Sequence, residues 1–157
     1  MNLEEKIVHA LLEKGYTITT AESCTGGLLA GRILNVSGAS GVYNEGYITY
    51  SNEAKNRLLG VSEKTLEQFG AVSEQTAKEM AEGVAKAANA DIGLSTTGIA
   101  GPGGGTPEKP VGLVYVACCV LGKTTVKKCL FEGNREENRN TAVEEVLILL
   151  QNCIENE

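Results

Sequence analysis

The sequence predicts an α/β fold: a single three-layer domain in which a mixed β-sheet is flanked by helices. Three observations lead there. A β-branched run, Thr17-Ile18-Thr19-Thr20, passes through Ser23-Cys24-Thr25-Gly26-Gly27 into the helical pattern of Leu28-Leu29-Ala30, which reads as strand, sharp turn and helix. Further short apolar runs alternate with segments of helical period. The last third of the chain then reads as a β-hairpin followed by one closing helix.

Taken in order, Leu3 to Lys14 carries Leu3, Ile7, Ala10 and Leu11 at helical spacing, and Gly15 stops it. The first strand is Thr17 to Thr20. The next helix runs from about Gly26 to Leu34, with Leu28, Leu29 and Ile33 facing inward, and residues 35–41 form a polar loop. Tyr43 to Tyr50 reads as a strand. Ser51 or Asn52 caps a helix through Lys55 to Leu59, which Gly60 ends. A short helix follows from Ser62 to Gly70. Ser73 then opens a longer one whose Ala77, Met80, Ala81, Val84 and Ala88 share a face small enough for close packing. Ile92 to Thr97 is a strand that runs into a loop, Gly98 to Pro110, holding all 3 prolines. Val111 to Leu121 and Thr124 to Phe131 pair across a turn at Gly122-Lys123. The final helix starts near Arg135 and buries Val143, Val146, Leu147 and Leu150.

At 157 residues this is one domain able to bury about two-thirds of its unfolded surface. No apolar run approaches the roughly 20 residues of a membrane span, and no basic-then-apolar leader precedes the first helix. A cytoplasmic protein is expected, with no membrane partner. Its net charge of −6, without a basic cluster interleaved with aromatics, argues against nucleic acid. The 5 cysteines contain no C-x-x-C pair, so neither a disulfide framework nor a metal site is signalled. The single histidine, His9, sits in the first helix beside Ile7 and Val8. A Ser-His-Asp triad is therefore not expected, and a serine nucleophile would need lysine, tyrosine or a carboxylate as its base.

The turn at Ser23 is the first candidate site. A strand-to-helix turn lifts one short side chain above the sheet edge while the unsatisfied N–H groups of the new helix point at whatever that side chain attacks. Ser23 is that side chain, with helix capping as the alternative role; Cys24 is the competing nucleophile, since adjacent side chains diverge and only one can face the site. Glu22 is placed to orient a substrate or a lysine. Residues 51 and 55 share a helix face, so Lys55 can lean back over the first helical turn toward the strand end at Tyr50, where apolar neighbours and helix dipoles would ease loss of its proton. Its alternative is a solvated lysine paired with Glu53 or Glu22. Arg135 and Arg139, four apart, would present two guanidinium groups to a phosphate, or else pair with Glu132, Glu136 and Glu137. The glycine loop matches neither G-x-x-x-x-G-K-[ST] nor G-x-G-x-x-G, and only its free N–H groups could hold an anion.

Together, Thr20-Ala-Glu-Ser-Cys-Thr-Gly-Gly27, Tyr50-Ser-Asn-Glu-Ala-Lys55, Gly70-Ala-Val-Ser73, Thr97-Gly-Ile-Ala-Gly-Pro102 with Gly104-Gly-Thr-Pro-Glu-Lys-Pro-Val-Gly112, and Phe131-Glu-Gly-Asn-Arg135 followed by Arg139 and Thr141 resemble the CinA C-terminal domain family, the nicotinamide-nucleotide amidohydrolases. The resemblance spans nearly the whole chain. It implies hydrolysis of the carboxamide of nicotinamide mononucleotide (NMN) to nicotinic acid mononucleotide and ammonia, in pyridine-nucleotide salvage, with no cofactor and no metal. It further implies Ser23 as nucleophile, Lys55 as base, Tyr50 as an assistant in proton transfer, and the backbone N–H groups of Thr25 and Gly26 as oxyanion donors. Substrate binding would fall to Glu22, Thr97, Gly98, Gly104, Gly105 and Arg139. A homodimer is expected. Longer members of the family carry an additional N-terminal domain that resembles molybdopterin-binding proteins, and only the amidase-like domain is expected here. The readings in competition with an amidohydrolase are a non-catalytic nucleotide-binding module of the same fold and a partner-binding scaffold.

Overall fold

A computed structural model describes all residues, 1–157. Its elements are α1 (Leu3–Lys14), β1 (Ile18–Glu22), α2 (Leu28–Leu34), β2 (Tyr47–Ile48), α3 (Asn52–Leu59), α4 (Glu63–Phe69), α5 (Glu74–Ala87), β3 (Ile92–Gly98), β4 (Leu113–Val120), β5 (Lys123–Leu130) and α6 (Arg135–Glu155). One five-stranded sheet runs in the order β2-β1-β3-β4-β5. β1 is parallel to both β2 and β3, whereas β3, β4 and β5 are antiparallel in turn, so the sheet is mixed as expected.

The helices lie on both faces. α1, α2 and α6 cover one face, where Ile7, Leu11, Leu29, Ile33, Val143, Val146, Leu147 and Leu150 meet the sheet residues Ile18, Ile92, Leu94, Val114 and Val116 in the larger core. α5 covers the other face with Ala77 and Ala81 against Ala117 and Cys119, while its Met80 and Val84 meet Ala21, Leu59 and Val61. The small face of α5 does bring the helix close. A Cβ on Gly93 of β3 would stand 2.2 Å from the Ala81 carbonyl oxygen, so the strand tolerates no side chain there.

Several boundaries differ from the sequence reading, each for a local reason. β1 continues through Ala21 and Glu22, because its register with β3 carries on to Glu22 opposite Thr96. Leu28, expected inside, is 38% exposed: Leu29 and Ile33, four apart, share the buried face of α2, and Leu28 lies to one side of it. The strand expected over 43–50 contracts to Tyr47–Ile48, with Tyr43 making a single bridge to Ile18. Between them the Tyr43 hydroxyl tucks under Gly46 to meet the Thr20 hydroxyl at 2.8 Å, and the chain detours around it. The last hairpin turns at Leu121-Gly122 rather than Gly122-Lys123. Both residues have positive φ, 49° and 87°, as a two-residue loop matched to strand twist requires, and Lys123 already pairs with Val120.

The three parallel strands end side by side. β1 leads to Ser23, β2 to Thr49 and Tyr50, and β3 to Gly98 and the glycine loop. From β1 the chain moves outward to β2 and later returns to β3 on the other side, which is the topological switch where ligands of open α/β sheets bind.

Candidate active site

Ser23 leaves β1 with its N–H still donating to Thr96 O at 3.0 Å, so the sheet itself sets its position. Buried polar groups hold the turn beyond it. The Glu22 carboxylate, 1% exposed, accepts from the N–H groups of Leu29 (2.8 Å) and Ala30 (3.0 Å) and from the Thr25 hydroxyl (2.6 Å). An anion thus sits at the amino end of α2, where the helix dipole favours it. Thr25 spends its proton on Glu22, so the Thr96 hydroxyl, 2.8 Å from Thr25 Oγ1, must donate to Thr25. The sequence places Glu22 toward substrate; its oxygens are instead committed to the turn and helix, and it braces them from behind.

Lys55 is the largest of the fully buried side chains, 1% exposed. Ser51 caps α3 by accepting from Ala54 N–H, which sets Lys55 in the first turns of that helix. From there its Nζ reaches Ser23 Oγ at 2.9 Å, Thr49 O at 2.9 Å and Tyr50 O at 3.1 Å. It pairs with no carboxylate; Glu53, its expected alternative partner, binds Arg57. Burial therefore pushes the Lys55 ammonium down to about 8, since charge removed from water without an anion to meet it is penalised. The cause is desolvation, more than the helix dipole invoked from sequence.

The remaining expectations divide. Ser23, Cys24, Tyr50, Lys55, Thr97, Gly98 and Gly104 all line one cavity of about 260 Å³, closed by Ala71 and Val72 ahead of α5 and by Arg135. Tyr50 touches Lys55 through its backbone carbonyl, not its hydroxyl; the residue is 65% exposed and its phenol oxygen lies 3.5 Å from Arg135 Nη2. Thr97 Oγ1 donates to Ala71 O at 2.8 Å, tying β3 to the cavity wall. Gly105 lies outside the lining, its Cα packed against Val111. Thr25 is fully buried and Gly26 exposed, and the N–H groups of Cys24, Thr25 and Gly26 donate to no group in the chain.

The two arginines do not act as one pair. Arg135 faces the cavity and donates to Gly101 O at 2.9 Å. Arg139 lies outside it and donates through Nε to Cys24 O (2.9 Å) and through Nη2 to Thr25 O (3.2 Å). Neither forms a salt bridge with Glu132, Glu136 or Glu137. Cys24 is buried, which pushes its thiol up to about 11 and keeps it protonated near neutrality.

Sequence reasoning missed what shapes the glycine loop. Asn138, 1% exposed, donates to Ala100 O (2.9 Å) and Gly133 O (3.0 Å), and Lys109 donates to Phe69 O at the end of α4. The N–H groups of Ala100, Gly101, Gly103 and Gly104 are left without partners in the chain. An asparagine between Arg135 and Arg139, inside a helix where its propensity is poor, was the available signal.

The fold and this site define a class: mixed-sheet α/β domains in which a buried lysine meets a serine on a strand-to-helix turn. Within that class the chain belongs to the CinA family, matching the CinA C-terminal domain over residues 1–154. It is 62% identical over 141 residues to a CinA-like protein of Kosmotoga olearia, covering 90% of this chain and 34% of that protein. The chain spans about a third of the length of the curated relatives it matches. A solved CinA-superfamily protein of Klebsiella pneumoniae superposes with a TM-score of 0.95 at 35% identity, covering 99% of this chain and 97% of that one. Another from Escherichia coli gives 0.92 at 36% identity, covering 96% and 87%. No helix of the chain is long and apolar enough to cross a membrane.

Proposed function

We propose that the chain is an amidohydrolase that cleaves the carboxamide of NMN through an acyl-enzyme on Ser23, with Lys55 as its base. The observation that carries this reading is the 2.9 Å approach of Lys55 Nζ to Ser23 Oγ, with the lysine buried and paired with no carboxylate. A neutral amine has two N–H groups and one lone pair. With the N–H groups held by Thr49 O and Tyr50 O, the lone pair faces the serine hydroxyl.

Lys55 takes the hydroxyl proton as Ser23 Oγ attacks the carboxamide carbon. The oxyanion that forms meets the free N–H groups of the turn, Thr25 and Gly26 among them. Collapse of the tetrahedral intermediate breaks the C–N bond, and Lys55 returns the proton to the departing ammonia. Water, activated by the same amine, then cleaves the ester and regenerates Ser23. The free N–H groups of Gly101, Gly103 and Gly104, with Arg135 beside them, supply the anion site that the nucleotide phosphate would occupy. The exposed ring of Tyr50 at the rim offers a π face to a pyridinium cation.

The experiment is ammonia release from NMN by the native chain and by Ser23→Ala. Release that disappears in the variant supports the reading. Binding of NMN by the native chain without turnover would replace it with the nucleotide-binding module.

A further inference from the structure

We infer that Arg139 is a positioning residue for the oxyanion hole, acting on its two peptide units from the carbonyl side. The inference rests on the acyl-transfer reading above. Arg139 Nε donates to Cys24 O at 2.9 Å and Nη2 donates to Thr25 O at 3.2 Å. These oxygens belong to the peptides whose nitrogens are Thr25 N and Gly26 N. The only cis peptide in the chain is Gly101-Pro102, so both of these are trans, and a planar trans peptide points its N–H opposite to its C=O. The Thr25 carbonyl also accepts from Leu28 N–H at 3.0 Å, whereas the Cys24 carbonyl has Arg139 alone; with both carbonyls on the guanidinium, both N–H groups face away from it, and neither is used elsewhere in the chain.

A cation on the carbonyl oxygens also draws electron density from the nitrogens and makes each N–H a stronger donor, as in any hydrogen-bonded peptide chain. The planar fork of arginine suits two adjacent carbonyls better than a single ammonium point charge. Gly26 records the arrangement. Its φ is +55°, and a Cβ there would stand 3.2 Å from Arg139 Nη2, so glycine lets the chain turn under the guanidinium without pushing it away. Arg139 comes from α6, whereas the turn it holds comes from β1 and α2, so the closing helix helps fix the nucleophile turn.

A residue that binds substrate phosphate and one that aligns oxyanion donors separate in kinetics. Arg139→Ala is expected to lower kcat for NMN by about 100-fold, the scale of a lost oxyanion donor, with KM unchanged. Arg139→Lys, which keeps the charge but loses the fork, is expected to recover part of kcat, and added guanidinium ion is expected to restore part of it in Arg139→Ala. A raised KM with native kcat would make Arg139 a phosphate ligand and overturn the inference, as would an unchanged kcat. A second readout needs no substrate: in Arg139→Lys the amide ¹⁵N resonances of Thr25 and Gly26 are expected to move upfield while that of Leu94 stays. Should the native chain release no ammonia, the proposed function falls, and these resonances still decide for or against the brace.

Discussion

Lys55 Nζ and Ser23 Oγ are 2.9 Å apart at the carboxyl end of the sheet, and the lysine has no acidic partner. A buried lysine satisfied only by neutral oxygens has reason to lose its proton near neutral pH, and most expectations for this chain derive from that contact.

The rate should follow deprotonation of Lys55. With the amine titrating at about 8, kcat/KM for NMN should fall about tenfold per pH unit below that value and level off above it. Lys55→Ala should lower kcat at pH 8 by about 10² to 10⁴-fold and abolish the inflection. A pH–rate profile of both proteins checks this; an inflection that survives the substitution assigns it to another group.

The same titration enters stability. The folded pKa of about 8 lies below the ordinary 10.5, so the unfolded chain binds more protons between these values. Lys55 therefore opposes folding in full below pH 8, and its own contribution to stability rises by about 3 kcal/mol as pH goes from 8 toward 10.5. Lys55→Met removes this titration. Urea unfolding of both proteins at pH 7 and pH 10.5 should show the stability of the variant relative to native declining by about that amount as pH rises.

Glu22 offers a test of the brace behind the turn. Its two oxygens accept from two helix N–H groups and one hydroxyl, all in a buried setting. Glu22→Gln turns one oxygen into an N–H donor facing donors, and should cost about 1–3 kcal/mol in urea unfolding as well as lower kcat. Native stability in this variant would show that the carboxylate is dispensable.

Arg135 is the guanidinium that faces the cavity. Arg135→Ala should raise KM for NMN while leaving kcat nearly native, and should have no effect on whatever hydrolysis the native chain gives with the unphosphorylated riboside. Steady-state kinetics on both substrates checks it. An equal loss on both would remove phosphate from its role.

Much of this is legible in the amino-acid sequence. The β-branched run ending in Ser-Cys-Thr-Gly-Gly places the Ser23 turn, and the i, i+4 relation of Ser51 and Lys55 places the lysine under the strand end. The parts that are not legible depend on contacts distant in sequence. Its place beside Ser23 gives Glu22 a role toward substrate, and the family resemblance gives one to Arg139 and a proton-transfer role to Tyr50, yet Glu22 turns back to α2, Arg139 crosses from α6 to carbonyls 115 and 114 residues away, and Tyr50 meets Lys55 with its carbonyl. Backbone carbonyls carry no sequence signature, so the Thr49 contact that orients Lys55 is invisible there. The short β2 escapes for a similar reason: the Tyr43 hydroxyl under Gly46 is a tertiary packing event that β-propensity does not register.

Acyl transfer to Ser23 is tested by a single turnover of NMN stopped by rapid acid quench, with peptide mapping of the protein by mass spectrometry. A covalent acyl adduct is expected on Ser23, absent from Ser23→Ala and still formed in Cys24→Ala. An adduct on Cys24, or full turnover by Ser23→Ala, would contradict it.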